Sequence, residues 1–256
     1  MPSEDLKQVS FTELPRVAQV LADAFYEDPV ARFVYPDDEG RVAWLTAAFE
    51  VQARLGLIYG RVYATDDYGG VAVWLTPSSG RLSLWSFIRA GGLRLLLRSS
   101  VDVLNRVRRL PGTAQKLHRQ CVSQRHWYLL LLAVKPERQG QGIGTRLLQP
   151  VLKTADGDSV PCYLETANER TIAFYERHGF SICSEGDIAG GPHLWGMLRR
   201  SESASSAHTA TPSTSSGHKA RFESEQDRRQ MDVLRKDGWP DHLPARSGPG
   251  RSRSAS

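Results

Sequence analysis

The block from His126 to Leu152 limits the fold more than any other part of this chain. Its first nine residues, HWYLLLLAV, are apolar at both alternating positions and end after 134. Such a run fits a central strand covered on both faces, although its leucines would also suit a short buried helix. Val134-Lys135-Pro136-Glu137-Arg138 then leads into Gln139-Gly140-Gln141-Gly142-Ile143-Gly144-Thr145, after which Leu147, Leu148, Val151 and Leu152 recur at helical spacing. A buried strand that turns through glycines into an amphipathic helix calls for a sheet with helices packed on it.

The surrounding residues extend that pattern to about residue 200. A short strand near Leu6 to Phe11 precedes a helix that Thr12 can cap, with Leu14, Val17, Leu21, Ala24 and Phe25 on one face and an end at Asp28-Pro29. A second helix is expected over about 41–55, closed by Gly56. Strands near 57–65 and 70–75 flank Asp66-Asp67-Tyr68-Gly69, which reads as a hairpin turn and makes them antiparallel. Further on, a strand over 160–166 leads to Asn168-Glu169-Arg170-Thr171-Ile172-Ala173-Phe174-Tyr175-Glu176-Arg177-His178-Gly179-Phe180. Asn168 can cap a short helix there, Gly179 can end it in a left-handed conformation, and Phe180 can start another strand. Pro150 falls inside the long helix and predicts a kink beyond its first turn.

Charge is unevenly spread. Residues 80–125 hold ten Lys/Arg and the single acid Asp102, with Leu82, Trp85, Ile88, Leu95 and Leu96 among them. We expect amphipathic helices here, broken at Gly91-Gly92 and Pro111-Gly112, forming a basic insertion whose apolar residues could cover the sheet or whose arginines could meet nucleic acid or anionic lipid. From 201 to 256 the chain is rich in Ser, Thr and Ala and poor in large apolar residues, so it is expected to be a disordered tail. The longest apolar run is far shorter than a membrane-spanning helix, and the acidic start MPSEDL does not read as a signal peptide. Cys121, Cys162 and Cys183 are far apart in sequence without a CxxC pair, which argues against a disulfide framework and against a cysteine zinc site; a reducing cytoplasm is the expected location.

The glycine-rich turn is the most informative chemistry. Gly140, Gly142 and Gly144 let the backbone turn tightly at a helix start, where unpaired N–H groups and the helix dipole favour an anion such as a diphosphate. A dinucleotide-binding fold is a rival reading, but Thr145 stands where its third glycine belongs and the unit comes after antiparallel strands. A nucleoside triphosphatase is a poorer reading still, for lack of Gly-Lys-Ser/Thr. His118 and His193 belong to no constellation, His178 beside a helix end reads as structural, and no metal-binding spacing is present, so no metal is expected.

Together, Gln139 to Thr145 and the Asn168 to Phe180 block, in this order and spacing, resemble the GNAT superfamily of acyl-CoA N-acyltransferases. Trp74, Pro77, His126-Trp127 and Leu164-Glu165-Thr166 look more loosely like a small-molecule branch that includes puromycin acetyltransferase. The resemblance implies an α/β fold with a mixed, mostly antiparallel central sheet flanked by helices over residues 1–200, the basic helices of 80–125 being inserted in it. It implies acetyl-CoA as co-substrate, with the amides of Gln139, Gly140, Gln141, Gly142, Ile143, Gly144 and Thr145 on its diphosphate. Ala133, Val134 and Asn168 would hold the pantetheine arm. Tyr175 would face the sulfur and return a proton to the departing thiolate. A main-chain N–H near Ala133 or Val134 would bond the thioester oxygen.

For the base that takes the amine proton, the sequence offers Glu165 first and Glu50, Asp28 and His126 after it. The expected reaction is direct attack by a primary amine of a small molecule, with both substrates bound. A protein amine is the alternative acceptor, and a noncatalytic acyl-CoA-binding module with a nucleic-acid- or membrane-binding insertion is the alternative function. No stable nucleic-acid or membrane partner is expected, residues 80–125 being the segment that could supply one.

Overall fold

The computed structural model describes residues 5–79 and 84–201, so the expected tail lies outside the described residues except for Ser201. In chain order the elements are β1 (Leu6–Gln8), α1 (Leu14–Ala24), α2 (Pro29–Val34), α3 (Arg41–Tyr59), β2 (Gly60–Thr65) and β3 (Gly70–Leu75). The basic segment follows as α4 (Leu84–Arg89), α5 (Gly92–Arg98), α6 (Val101–Val107) and α7 (Leu110–Cys121). The remainder is β4 (Trp127–Val134), α8 (Ile143–Gly157), β5 (Cys162–Thr166), α9 (Ile172–Glu176), β6 (Ser181–Asp187) and β7 (His193–Arg199).

The seven strands form one sheet in the order β1-β2-β3-β4-β5-β7-β6, which puts the apolar run of β4 at its centre. Every pairing is antiparallel except β4 with β5, where the helical crossover through α8 permits a parallel pair. Helices α1 and α3 cover one face through Val17, Leu21, Leu45 and Phe49. Helix α8 covers the other through Ile143, Leu147, Leu148 and Val151.

Strand β4 serves both faces because its register slips. Val73 pairs with Leu131 and Trp74 with Leu129, leaving Leu130 as an extra residue. An inserted residue reverses the alternation. Trp127 and Leu129 therefore pack with α8, while Leu131 and Ala133 pack with α1 and α3.

Several local expectations are corrected. The first helix is entered from Ser10, whose N–H donates to the Glu13 carboxylate at 2.9 Å, rather than from Thr12. Asp28-Pro29 starts α2: the Asp28 carboxylate accepts the Val30 N–H at 2.9 Å. Helix α3 runs through Gly56 to Tyr59, and a Cβ at Gly56 would lie 2.4 Å from Val73 Cγ1, so this glycine lets the helix approach the sheet rather than ending it. Gly91 does separate α4 from α5, whereas Pro111 and Gly112 lie in the first turn of α7, where a proline removes no helical hydrogen bond. Gly179 is left-handed as expected, and α8 continues through Pro150.

The cysteine expectation fails for a tertiary reason. Although 62 residues apart, Cys121 at the end of α7 and Cys183 in β6 are joined by a disulfide, because α7 packs along β6 and brings their Cα atoms to 5.4 Å. Cys162 is free and buried. Arg199 ties the far side of the sheet together, with both terminal nitrogens 2.7 Å from the Asp156 carboxylate and its Nε donating to the His178 carbonyl.

Candidate active site

Strands β4 and β5 pair only from Trp127–Leu129 to Cys162–Leu164 and separate beyond. The gap opens into a cavity of about 1040 Å³. One part of its lining comes from β4, β5, the turns after them and α9: Ala133, Val134, Gln139, Asn168 and Tyr175. Another comes from the first three helices and their connections: Phe25, Asp28, Trp44 and Phe49. Backbone groups of β4 that lack a β5 partner therefore border a space wide enough for a ligand.

Glu165 sits where the gap begins. Its carboxylate accepts hydrogen bonds from the Tyr128 and Tyr163 hydroxyls, the latter at 3.0 Å. Burial raises its pKa to about 7, against the opposing pull of the two tyrosine donors. A carboxyl with this value is divided between its acid and base forms near neutrality and can take up a proton there. Burial, and then the carboxylate's charge, push both tyrosines well above their ordinary range, so they remain donors.

Glu165 and Tyr128 also line a second cavity of about 730 Å³, together with His118 and His126. The two Nε2 atoms of these histidines lie 2.7 Å apart, and His126 Nδ1 is 2.7 Å from the Gln124 carbonyl. The His118 ring stacks on Tyr163 at 4.4 Å between centroids. Burial lowers the pKa of His126.

Of these groups the sequence reading named Glu165 and His126, set His118 aside as belonging to no constellation, and missed Tyr128 and Tyr163. The period-two rule places Tyr163 and Glu165 on one strand face, and Tyr128 pairs across from Tyr163, but that pairing required the fold. His118 comes from α7 and carries no sequence spacing that links it to β5.

Tyr175 on α9 is buried and lines the larger cavity. Burial, then the charge of Asp28, raises its pKa above that of an ordinary tyrosine, so it holds its proton. Asp28 lines the same cavity and is itself raised by burial, but both its hydrogen bonds go to the amides that begin α2. Glu50 instead pairs with Arg54 along α3 at 2.9 Å. Asn168 lines the cavity while its side chain accepts the Arg170 N–H at 3.2 Å.

The glycine turn has the conformation the sequence requires. Gly140 and Gly142 both have φ of 76°, a region that disfavours residues with a Cβ. The first helical bond of α8 runs from Arg146 N to the Gly142 carbonyl at 3.1 Å, so the amides of Ile143, Gly144 and Thr145 have no intrahelical acceptor. The Ile143 side chain is buried in the core, leaving only its backbone for a ligand. Gln139 and Gln141 donate their side-chain amides to the Val134 and Glu137 carbonyls, fixing the turn. Thr145 lies 3.0 Å from His178 Nε2, whose Nδ1 is 2.8 Å from the Phe174 carbonyl, so His178 links α9 to α8 as a structural residue. These unpaired amides at a helix start fit the diphosphate of coenzyme A.

Residues 106–180 match the family model described as Acetyltransferase (GNAT) family, a span that includes β4, the glycine turn, Glu165 and Tyr175. That span is similar to the GNAT acetyltransferases. The chain is 25% identical over 187 residues to an uncharacterized N-acetyltransferase of Schizosaccharomyces pombe, covering 68% of this chain and 73% of the relative.

Among solved structures, histone acetyltransferase HPA2 and related acetyltransferase from Corynebacterium glutamicum matches with a TM-score of 0.55 and 22% identity, over 82% of this chain and 98% of that one. Arylalkylamine N-acetyltransferase 2 from Aedes aegypti matches with a TM-score of 0.50 and 13% identity, over 77% and 98%. These two likenesses establish the fold; the first is named for a protein acceptor and the second for a small amine, so they leave the acceptor open. The matched span and the relative's name support an acetyl-CoA N-acetyltransferase.

Proposed function

We propose that this enzyme acetylates a small primary amine with an apolar body, and that Glu165 is its general base. The observation that carries the reading is the position of Glu165: a buried carboxyl of pKa about 7, held by two tyrosine donors at the opening between β4 and β5. The acceptor class follows from the other part of the lining, where Phe25, Trp44 and Phe49 offer an aromatic surface and Asp23 adds a carboxyl group for an ammonium.

In this reading the amides of residues 140–145 hold the diphosphate of acetyl-CoA, and Ala133, Val134 and Asn168 border its pantetheine arm. The thioester supplies the activated acyl group. Glu165 takes a proton from the acceptor ammonium, directly or through a water, and leaves the amine lone pair free to attack. A main-chain N–H near Ala133 or Val134 donates to the carbonyl oxygen as charge gathers there. Tyr175 donates its proton to the departing sulfur and recovers one from solvent.

Thiol release from acetyl-CoA, followed with a panel of arylalkyl, alkyl and polyamine acceptors and with peptides, tests the reading. Turnover is expected with a small aromatic or aliphatic amine and to fall at least about a hundredfold in Glu165→Gln. Turnover confined to peptide amino groups would overturn the acceptor class, and unchanged turnover in Glu165→Gln would remove the proposed base.

A further inference from the structure

The sequence left open whether the apolar residues of the basic segment cover the sheet. In the structure Phe87 and Ala90 pack against Val51 and Leu55 of α3, which turns other large side chains outward. Leu84, Trp85, Leu93, Leu97 and Val101 are all exposed, Trp85 at 66% and Leu97 at 78%. Among the described residues only two further large hydrophobic side chains, Val42 and Ile182, are exposed, so the outward apolar surface is concentrated on α4, α5 and the start of α6.

That surface is also basic. Residues 84–107, the span of α4 to α6, carry four arginines and one acid. On α5, Leu93 and Leu97 are one turn apart, as are Arg94 and Arg98 beside them, and all four are exposed. Neutral apolar contacts and a positive charge therefore lie side by side on one element.

We propose that the α4–α6 surface docks on an anionic lipid bilayer, with Trp85, Leu93 and Leu97 entering the boundary between headgroups and acyl chains and Arg94 and Arg98 meeting lipid phosphates. Charge complementarity selects this occupant. A second copy of the chain would bring its own positive surface against this one. A nucleic-acid backbone would satisfy the arginines but give the leucines nothing apolar to bury against. An anionic bilayer answers both features, because amphipathic helices bind it through buried apolar area and attraction to charged headgroups together. No helix among the described residues is long and apolar enough to cross a membrane, so the contact is one with its surface. This inference does not depend on the acceptor class.

Sedimentation of the full chain with vesicles tests it. Vesicles of phosphatidylcholine with about 30% phosphatidylglycerol should carry the protein down at low salt, and pure phosphatidylcholine should carry much less. Arg94→Gln/Arg98→Gln should weaken partition roughly thirtyfold, as expected for two arginines near an anionic surface. Leu93→Ser/Leu97→Ser should weaken it at unchanged charge, while its acetyl-CoA turnover without vesicles stays at the parent level. The proposal is overturned if anionic vesicles fail to bind at low salt, if neutral vesicles bind equally, or if the leucine variant keeps parental affinity. Binding to duplex DNA or an acidic polypeptide that exceeds vesicle binding would also overturn it.

Discussion

With Glu165 as the proposed base, its protonation couples activity to stability. Its pKa of about 7 predicts that kcat/KM for an ammonium acceptor rises with pH through that value, measurable as a pH–rate profile. Tyr128→Phe removes a donor that lowers the carboxyl's value, so the rising limb should move to higher pH. The fold pays for this poise. Because the folded value lies above the unfolded one near 4.5, the carboxyl favours the folded chain below pH 4.5 and loses that contribution as pH rises to about 7. Glu165→Gln should therefore melt at a higher temperature than the parent at pH 8 and at nearly the same temperature at pH 5. The gain is bounded by roughly 3 kcal/mol, less what one tyrosine loses in acceptor. Equal melting at both pH values would contradict the buried charge. At this scale the sequence exposed Glu165 through its place in the strand, but its two tyrosine donors and the adjacent histidines meet only through strand pairing and the docking of α7.

Elements differ in how plainly their residues announce them. The run of β4, the glycine turn and the stripe of α8 were legible because all three signals are local. Gly56 was misread because a glycine near a helix end and a glycine at a helix–sheet contact look alike in sequence. Gly56→Ala should destabilise by about 1–3 kcal/mol, since its Cβ would meet Val73 at 2.4 Å and Val62 at 2.9 Å; thermal unfolding checks it. Helix α2 escaped notice because Asp28-Pro29 serves equally as a stop and as a start. The disulfide was invisible for the same kind of reason: spacing along the chain says nothing about α7 lying on β6. Cys121→Ser should cost roughly 2–4 kcal/mol, and reductant should lower the parent's melting temperature while leaving the variant's unchanged.

For the whole molecule, an α/β fold with one antiparallel hairpin was legible from the residues and the mixed sheet came with the GNAT resemblance, whereas the meeting of two cavities at Glu165 was not legible. Their shared walls, Tyr128, Glu165 and Ala114, come from two strands and a helix of the basic segment. Acetyl-CoA at a hundredfold over its Kd should stabilise the protein by about 2.7 kcal/mol in thermal unfolding. Gly142→Val should abolish most of that protection by forcing a branched side chain into the left-handed conformation of the turn.

The one-sided pairing of β4 beyond Leu129 gives the free enzyme an isotopic signature. Along that stretch, amides directed at β3 are locked while alternate ones look into the gap, so deuterium uptake should follow a two-residue rhythm rather than the uniform slowness of an interior strand. Occupancy by the acyl donor would silence the fast positions, turning a kinetic comb into a flat line.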